Sequence, residues 1–287
     1  MRRILIIFLL IFTASGFAED LSVQNPTLPS EQVNLANKYF EAQDFVKAVE
    51  WMTKAAEQGN ADARSNLGFF YENGYGVEQN LTKAAEYYTL AAQAGSLLAQ
   101  CNLGVCYEYG RGVAKDLVKA AEWYGKSAEN GYPEGQCNLG YFYEKGMGVE
   151  QDYDKAAEWY RKAANNNHAE AQCKLGYCYE VGMGTMKSST MAVVWYRKAA
   201  DQGYPRAQNN LGVCYYLGVG VIQNLESAFG WWMIAAQNGY DEAQKNLGIC
   251  YQHGEGVTQD LVKAVEWFKK AAEQGNSDAI EALNRLG

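Results

Sequence analysis

The chain has 287 residues, and its 33 acidic residues outnumber its 25 lysines and arginines, which gives a formal net charge of −8. This negative charge argues against nucleic acid or an anionic membrane surface as the main partner. Hydrophobic residues make up 48% of the chain, enough for a packed core, and no long apolar run follows the N-terminal segment.

Residues 1–18 predict a secretory signal peptide. Arg2 and Arg3 precede an apolar run, Ile4–Phe12, and small residues stand before a predicted cleavage site after Ala18. The apolar run is too short for a stable transmembrane anchor, although a retained N-terminal anchor is the alternative interpretation. The segment therefore predicts a periplasmic or secreted protein with no stable membrane insertion after cleavage.

A polar stretch with two prolines, residues 19–30, follows and predicts a disordered linker. We expect Ser30, at its end, to cap the first helix.

From there the chain repeats itself. A Leu-Gly pair recurs every 36 residues, beginning with Leu67 and Gly68 and ending with Leu247 and Gly248. A fixed period of this length is typical of solenoids, in which each unit buries a core only against its neighbours. The units run over about 31–60, 61–96, 97–132, 133–168, 169–204, 205–240 and 241–276, with a capping helix over 277–287.

Each unit predicts two helices. In the unit of residues 97–132, apolar residues at helical spacing indicate a first helix over about 99–109. Two glycines then suit a helix end and a tight turn. Asp116 stands where an N-cap residue would, before a second helix over about 119–129. The fold class is therefore all-α, an α/α solenoid of stacked antiparallel helix pairs.

Small residues also repeat. Gly104 and its equivalents lie inside a helix, where glycine costs about 1 kcal/mol relative to alanine. We expect close packing there, with the alanine pairs of the second helices, such as Ala163-Ala164, on the other side. Of the two adjacent aromatic residues in each second helix, such as Trp159 and Tyr160, one is expected to pack within its unit and the other against the next unit.

The motifs L-G-x-x-Y, G-x-G-V-x-x-D and K-A-x-x-W-Y-x-K-A-A at this period resemble the Sel-one-like repeat (SLR), a relative of the tetratricopeptide repeat. The resemblance covers residues 31–287. It implies a right-handed superhelix whose concave groove is lined by the first helices, and a non-enzymatic scaffold that binds proteins. For secreted bacterial members it also implies a role at the envelope or in host-cell interaction.

The candidate binding residues vary between units and avoid the predicted core face of the first helices. One row carries mainly apolar side chains and a second row mainly asparagine. Two interpretations of the asparagines stay open: they clamp the backbone of an extended peptide, as in tetratricopeptide relatives, or they bridge neighbouring helices. The set comprises Phe69, Val105, Tyr141, Tyr177, Val213 and Ile249 in the first row, and Asn66, Asn102, Asn138, Lys174, Asn210 and Asn246 in the second.

Seven cysteines fall into two rows of the first helices. Members of a row are too far apart for most disulfide geometries, and the second helices of the full units carry no cysteine for the bridge found in cysteine-rich secreted SLR proteins. No disulfides are therefore predicted. We expect the first row to be exposed in the groove and the second row to be buried: Cys101, Cys137 and Cys173, then Cys106, Cys178, Cys214 and Cys250.

Titratable residues give no catalytic or metal-binding pattern. His168 and His253 lack metal-ligand spacing and are expected in surface turns, so no metal and no cofactor are predicted. A glutamate recurs at one position of four units and predicts a solvated acidic edge of the groove. These are Glu72, Glu108, Glu144 and Glu180.

The sequence thus predicts a protein-binding scaffold of the bacterial envelope, or a secreted one, that is not an enzyme. Two alternatives stay open: a β-lactam- or peptidoglycan-related hydrolase or cell-wall-fragment binder, for which the serine-enzyme motifs are missing, and a eukaryotic secretory adaptor. A monomer is expected. The alternative is self-association through an unusually apolar stretch of one second helix, Trp231, Trp232, Met233 and Ile234.

Overall fold

The computed structural model describes residues 26–286, so the predicted signal peptide, its cleavage site and most of the predicted linker lie outside the described residues. In the described part the chain is all-helical, with no strand, as predicted. Its helices are α1 Pro29–Glu41, α2 Phe45–Glu57, α3 Ala61–Asn73, α4 Leu81–Gln93, α5 Leu97–Tyr109, α6 Leu117–Glu129, α7 Pro133–Lys145, α8 Tyr153–Asn165, α9 Ala169–Val181, α10 Ser189–Asp201, α11 Pro205–Leu217, α12 Leu225–Gln237, α13 Asp241–His253, α14 Leu261–Glu273 and α15 Ser277–Leu286.

Helices pack on their neighbours in chain order, which makes a solenoid of helix pairs. We call the odd-numbered helices first helices and the even-numbered ones second helices. Each second helix begins after a side chain that accepts a hydrogen bond from the backbone N–H three residues later, the geometry that an N-cap supplies. These N-cap residues are Asp44, Asn80, Asp116, Asp152, Ser188, Asn224 and Asp260.

The first helix of the solenoid starts differently from the prediction. It begins at Pro29 after Leu28, whose side chain makes no capping hydrogen bond. The expectation that Ser30 caps this helix is therefore wrong. Proline suits the first helical position because its missing N–H would have no partner there, so the helix starts one residue before Ser30.

Both glycines of the turn between the helices have a left-handed backbone. In the third unit Gly110 ends α5 with φ 70°, and Gly112 has φ 69°. The backbone at Gly112 also lies against the carbonyl of Leu81, the first residue of the preceding second helix, so that a Cβ would overlap the Leu81 oxygen. The turn thus requires glycine both for its conformation and for contact between units.

The mid-helix glycines pack against aromatic rings, not against the alanine pairs that the sequence suggested. A Cβ on Gly104 would lie 2.7 Å from Cδ1 of Tyr124 in the same unit. Tyr124 is 1% exposed, so the ring occupies the space that a side chain at position 104 would need. The same relationship joins Gly68 to Tyr88, Gly140 to Tyr160, Gly176 to Tyr196, Gly212 to Trp232 and Gly248 to Phe268.

The other aromatic residue of the pair connects units, but it packs against the preceding unit and not against the next one as predicted. Trp159 is partly buried against a cluster that contains Tyr124 of the preceding unit and Phe142 of its own unit. On its outer side Trp159 is covered by Lys162, whose Nζ lies 3.9 Å from the ring centroid. At the C-terminal end of the described chain, Ala279 of α15 is fully buried against α14. None of the described helices is long and apolar enough to cross a membrane.

Candidate functional site

Six of the predicted binding residues lie at one position of successive first helices, and the structure leaves all six partly or fully exposed. We call the surface they form the first-helix face. Tyr177 has the highest exposure, 49%. The others, Phe69, Val105, Tyr141, Val213 and Ile249, are half-buried.

Successive first helices also approach each other directly, as α5 and α7 do. Such contacts are expected on the inner side of a curved stack, where neighbouring units are closest.

The asparagine row contacts the preceding unit. The Asn138 amide lies 3.5 Å from Cys101 Sγ, and that of Asn246 donates to Asn209 Oδ1 at 3.0 Å. Asn102 is only 8% exposed. These contacts favour the interpretation that the asparagines bridge neighbouring helices over the peptide clamp. Two further asparagines of the row contact a sulfur atom of the preceding unit: Asn66 contacts Met52, and Asn210 contacts Cys173.

The cysteines of both rows are buried. The second row is buried, as predicted. The predicted exposure of the first row is wrong, because Cys101, Cys137 and Cys173 are each 2% exposed. They lie between adjacent first helices, which pack closer together than the sequence suggested. Burial raises the pKa of the Cys173 thiol to about 12, which makes it a poor nucleophile and metal ligand. All seven cysteines are free thiols in the structure.

The glutamate row is not a solvated edge, which corrects the prediction. In each of four units a buried tyrosine of the second helix donates a hydrogen bond to the glutamate of the first helix. The Tyr124 hydroxyl reaches Glu108 Oε2 at 2.7 Å, and burial raises the pKa of that hydroxyl well above its usual range. The other pairs are Tyr88 with Glu72, Tyr160 with Glu144 and Tyr196 with Glu180.

Cations reach two of these four glutamates. Arg111 Nη1 lies 3.1 Å from Glu72 Oε1. Glu144 is contacted by Lys145 at 2.7 Å and by Lys174 at 3.5 Å. Burial raises the pKa of Glu144, but hydrogen bonds from Lys145 and Tyr160 and the charge of Lys174 outweigh it, so this pKa lies below its ordinary value.

Sequence reasoning missed these tyrosine–glutamate pairs. Their signal was a spacing of 16 residues between glutamate and tyrosine, repeated in four units. Sequence reasoning also placed Lys174 in the asparagine row without assigning a role to it. The structure shows that Lys174 crosses from α9 to α7, with its Nζ 4.9 Å from the Tyr141 ring centroid.

His168 is also placed differently from the prediction. It is the N-cap of α9, where its Nδ1 accepts from the Ala171 N–H at 3.2 Å. Its Nε2 lies 2.7 Å from Glu134 in the first turn of α7, and the side chain is only 14% exposed. It therefore connects the starts of two successive first helices, α7 and α9, while His253 at the end of α13 is exposed as expected.

The apolar stretch of α12 is mostly part of the core. Trp232 is 4% exposed and donates from Nε1 to the Asn209 carbonyl at 3.1 Å, since it takes the place of the tyrosine over the helical glycine. Met233 packs in the same core, and Trp231 is half-buried. Ile234 alone of the four is exposed, so the predicted self-association patch is far smaller than the sequence indicated.

The first-helix face is thus suited to binding. It offers the rings of Tyr141 and Tyr177, and tyrosine is enriched at protein-binding surfaces. No group of three or more metal-ligating side chains occurs within residues 26–286.

Known proteins match the chain over most of its length. A family model described as Sel1 repeat matches residues 34–60, 61–96, 97–132, 133–168, 169–204, 205–240 and 241–276. None of the curated proteins matches it.

Solved structures are similar as well. One is c5321, described as a protective antigen present in uropathogenic Escherichia coli strains and displaying an SLR fold, with 37% identity and a TM-score of 0.79. The similarity covers 90% of this chain but only 56% of that antigen. A Sel1 repeat protein from Oxalobacter formigenes has 31% identity and a TM-score of 0.78, over 84% of this chain and 96% of its own.

Proposed function

Since the chain belongs to the Sel1 repeat family, whose members are protein–protein interaction scaffolds, we propose that its first-helix face binds a segment of a partner protein. The observation that carries the proposal is the unbroken row of exposed and half-buried apolar and aromatic side chains along this face, from Phe69 to Ile249. A row of this length suits an extended or helical segment better than a small molecule.

The partner is proposed to be met outside the cytoplasm, at the bacterial envelope or after secretion, in a non-enzymatic role. Support comes from the signal peptide predicted for residues 1–18 and from the similarity to a protein described as a protective antigen. Because the chain spans 56% of that antigen, this support concerns the shared repeats alone.

The test is affinity capture from envelope and host-cell extracts with the purified protein. A Tyr141→Ala/Tyr177→Ala variant removes two aromatic rings from the first-helix face. The matched control is Tyr153→Ala, because Tyr153 is 44% exposed, close to the 49% of Tyr177, but begins a second helix. A partner held by the wild type and the control and lost by the double variant supports the proposal.

The contrary result is equally clear. If the double variant holds the same partner as the wild type, while circular dichroism shows all three proteins equally helical, the binding site lies elsewhere on the solenoid. If no protein is held by any of them, the protein-binding role itself is contradicted.

A further inference from the structure

One lysine of this chain shows how the first-helix face holds a cation. Lys174 lies between a tyrosine and a glutamate of the preceding unit. Its Nζ is 4.9 Å from the ring centroid of Tyr141 and 3.5 Å from Glu144 Oε2. The hydroxyl of Tyr160 donates to the same carboxylate oxygen at 2.6 Å, which holds the carboxylate in place. Lys174 is mostly buried there, with a side chain 15% exposed.

The next unit repeats this arrangement without the lysine. Tyr177, Glu180 and Tyr196 stand 36 residues after Tyr141, Glu144 and Tyr160, and the Tyr196 hydroxyl again donates to the glutamate.

The position of Lys174 is taken by Asn210, whose amide turns toward Cys173 Sγ at 4.0 Å. The position of Lys145, the other cation on Glu144, is taken by Val181. No lysine, arginine or histidine nitrogen of residues 26–286 makes an ion pair with Glu180, whereas Glu144 has two such partners.

Exposure agrees with the missing cation. Tyr177 is 49% exposed, while Tyr141, beneath Lys174, is half-buried. The Glu180 carboxylate is half-buried with a tyrosine hydroxyl as its hydrogen-bond donor. A partly desolvated carboxylate beside an exposed aromatic ring attracts an ammonium or guanidinium group through both charge and cation–π contact.

The two remaining glutamates of the row do not offer the same set. Glu72 is already bonded by Arg111, and Glu108 has Val105 where Glu144 and Glu180 have a tyrosine. The unit of residues 169–204 is therefore distinguished from the three before it.

We infer that Tyr177, Glu180 and the hydroxyl of Tyr196 form a pocket for a lysine or arginine side chain of the bound partner, the place that Lys174 fills one unit earlier. The inference rests on the proposed function and narrows it, because it makes the partner segment cationic where it crosses α9 and α11. The net charge of −8 favours such a segment over an acidic one.

A small probe tests the pocket without the partner. Protein labelled with ring-¹³C tyrosine is titrated with N-acetyl-lysine methylamide, and in parallel with N-acetyl-norleucine methylamide, which lacks the charge. The Tyr177 resonance is identified by its loss in Tyr177→Phe. We expect the Tyr177 resonance to shift in a saturable way with the lysine compound, with an affinity at least about fivefold above that for the norleucine compound.

Three variants keep the inference falsifiable. Glu180→Gln can still accept the Tyr196 hydrogen bond but lacks the charge, so the lysine preference should disappear. Asn210→Lys should fill the pocket from within and abolish the response. Lys174→Asn combined with Lys145→Val, which copies the next unit and removes both cations from Glu144, should add a second response, at Tyr141. Equal responses to the two compounds, or a lysine response that survives both Glu180→Gln and Asn210→Lys, would overturn the inference.

The outcome is separable from that of the capture experiment. If the lysine titration succeeds and capture fails, the cation pocket is supported and the partner-binding role is contradicted. A titration that fails while capture succeeds leaves a protein-binding face without this pocket.

Discussion

The ring of Tyr124 lies against the backbone of Gly104 so closely that a Cβ on residue 104 would be 2.7 Å from the ring. The same tyrosine donates its hydroxyl to Glu108, one helical turn further along α5. A single side chain therefore fixes both the distance between the two helices of a unit and the direction of the glutamate. This explains why glycine recurs in the middle of a helix despite its cost.

Gly104→Ala should destabilise the protein. The added methyl overlaps a buried ring, which costs about 1–3 kcal/mol, and the better helix propensity of alanine recovers about 1 kcal/mol of this. We expect a net loss of up to about 2 kcal/mol, measured as a lower urea midpoint by circular dichroism. The control is Gly125→Ala in α6, where no heavy atom lies within 4 Å of the new Cβ. That variant should be as stable as the wild type or more so, and a loss equal to that of Gly104→Ala would contradict the packing argument.

Gly112→Ala should be more harmful than Gly110→Ala. Both residues have positive φ, so both substitutions carry the left-handed penalty of roughly 1–2 kcal/mol. A Cβ at 112 would also overlap the Leu81 carbonyl of the preceding unit, whereas one at 110 would come no closer than 3.3 Å to Lys115. Urea unfolding of the two variants measures the difference, and equal midpoints would show that the turn does not lock the units together.

Alkaline pH should unfold the protein. Burial, reinforced by the neighbouring glutamates, raises the pKa of Tyr88, Tyr124, Tyr160 and Tyr196 far above the ordinary value near 10. Because the folded-state pKa is the higher one, their stabilisation is complete below about pH 10 and is lost as the pH rises beyond it. Tyrosinate absorbance should show four tyrosines ionising together with the loss of helicity. Their ionisation at about pH 10 in a folded protein would contradict the burial argument.

The thiols should be unreactive in the folded protein and free after unfolding. Burial raises the pKa of Cys106, Cys178 and Cys250 to about 12 and that of Cys214 to about 11. Reaction with a thiol reagent near pH 8 should therefore be at least about 100-fold slower in the folded state. Unfolding without a reductant should release all seven thiols. A count of fewer than five would contradict the prediction of no structural disulfides.

The repeat and its helices could be predicted because both depend on short-range patterns. The 36-residue period, the turn glycines and capping residues such as Asp116 each act within a few residues of their own position. Helix bounds were predicted to within two residues, since α5 begins at Leu97 and α6 at Leu117. The one wrong cap, Ser30, stands where proline competes for the start of the helix.

The first-helix face was predicted less completely, because its details depend on how closely successive units approach. Because successive units lie close together, Cys101 is buried and Asn138 bridges two helices instead of facing a partner. For the same reason Lys174 reaches Glu144 of the preceding unit. Lys174 and Glu144 are 30 positions apart, and no local pattern specifies such a pair.

The central claim, that the first-helix face holds the partner, is tested most directly by site-specific photo-crosslinking. A photoreactive benzoyl-phenylalanine replaces Tyr177 in one protein and Tyr153 in another. The two residues are similarly exposed, but Tyr177 lies on a first helix and Tyr153 on a second helix. Each protein is irradiated in the extract from which the partner is captured. The account predicts a covalent adduct with the partner from position 177 and none from position 153. An adduct from position 153 alone would place the binding surface on the second helices and contradict the claim.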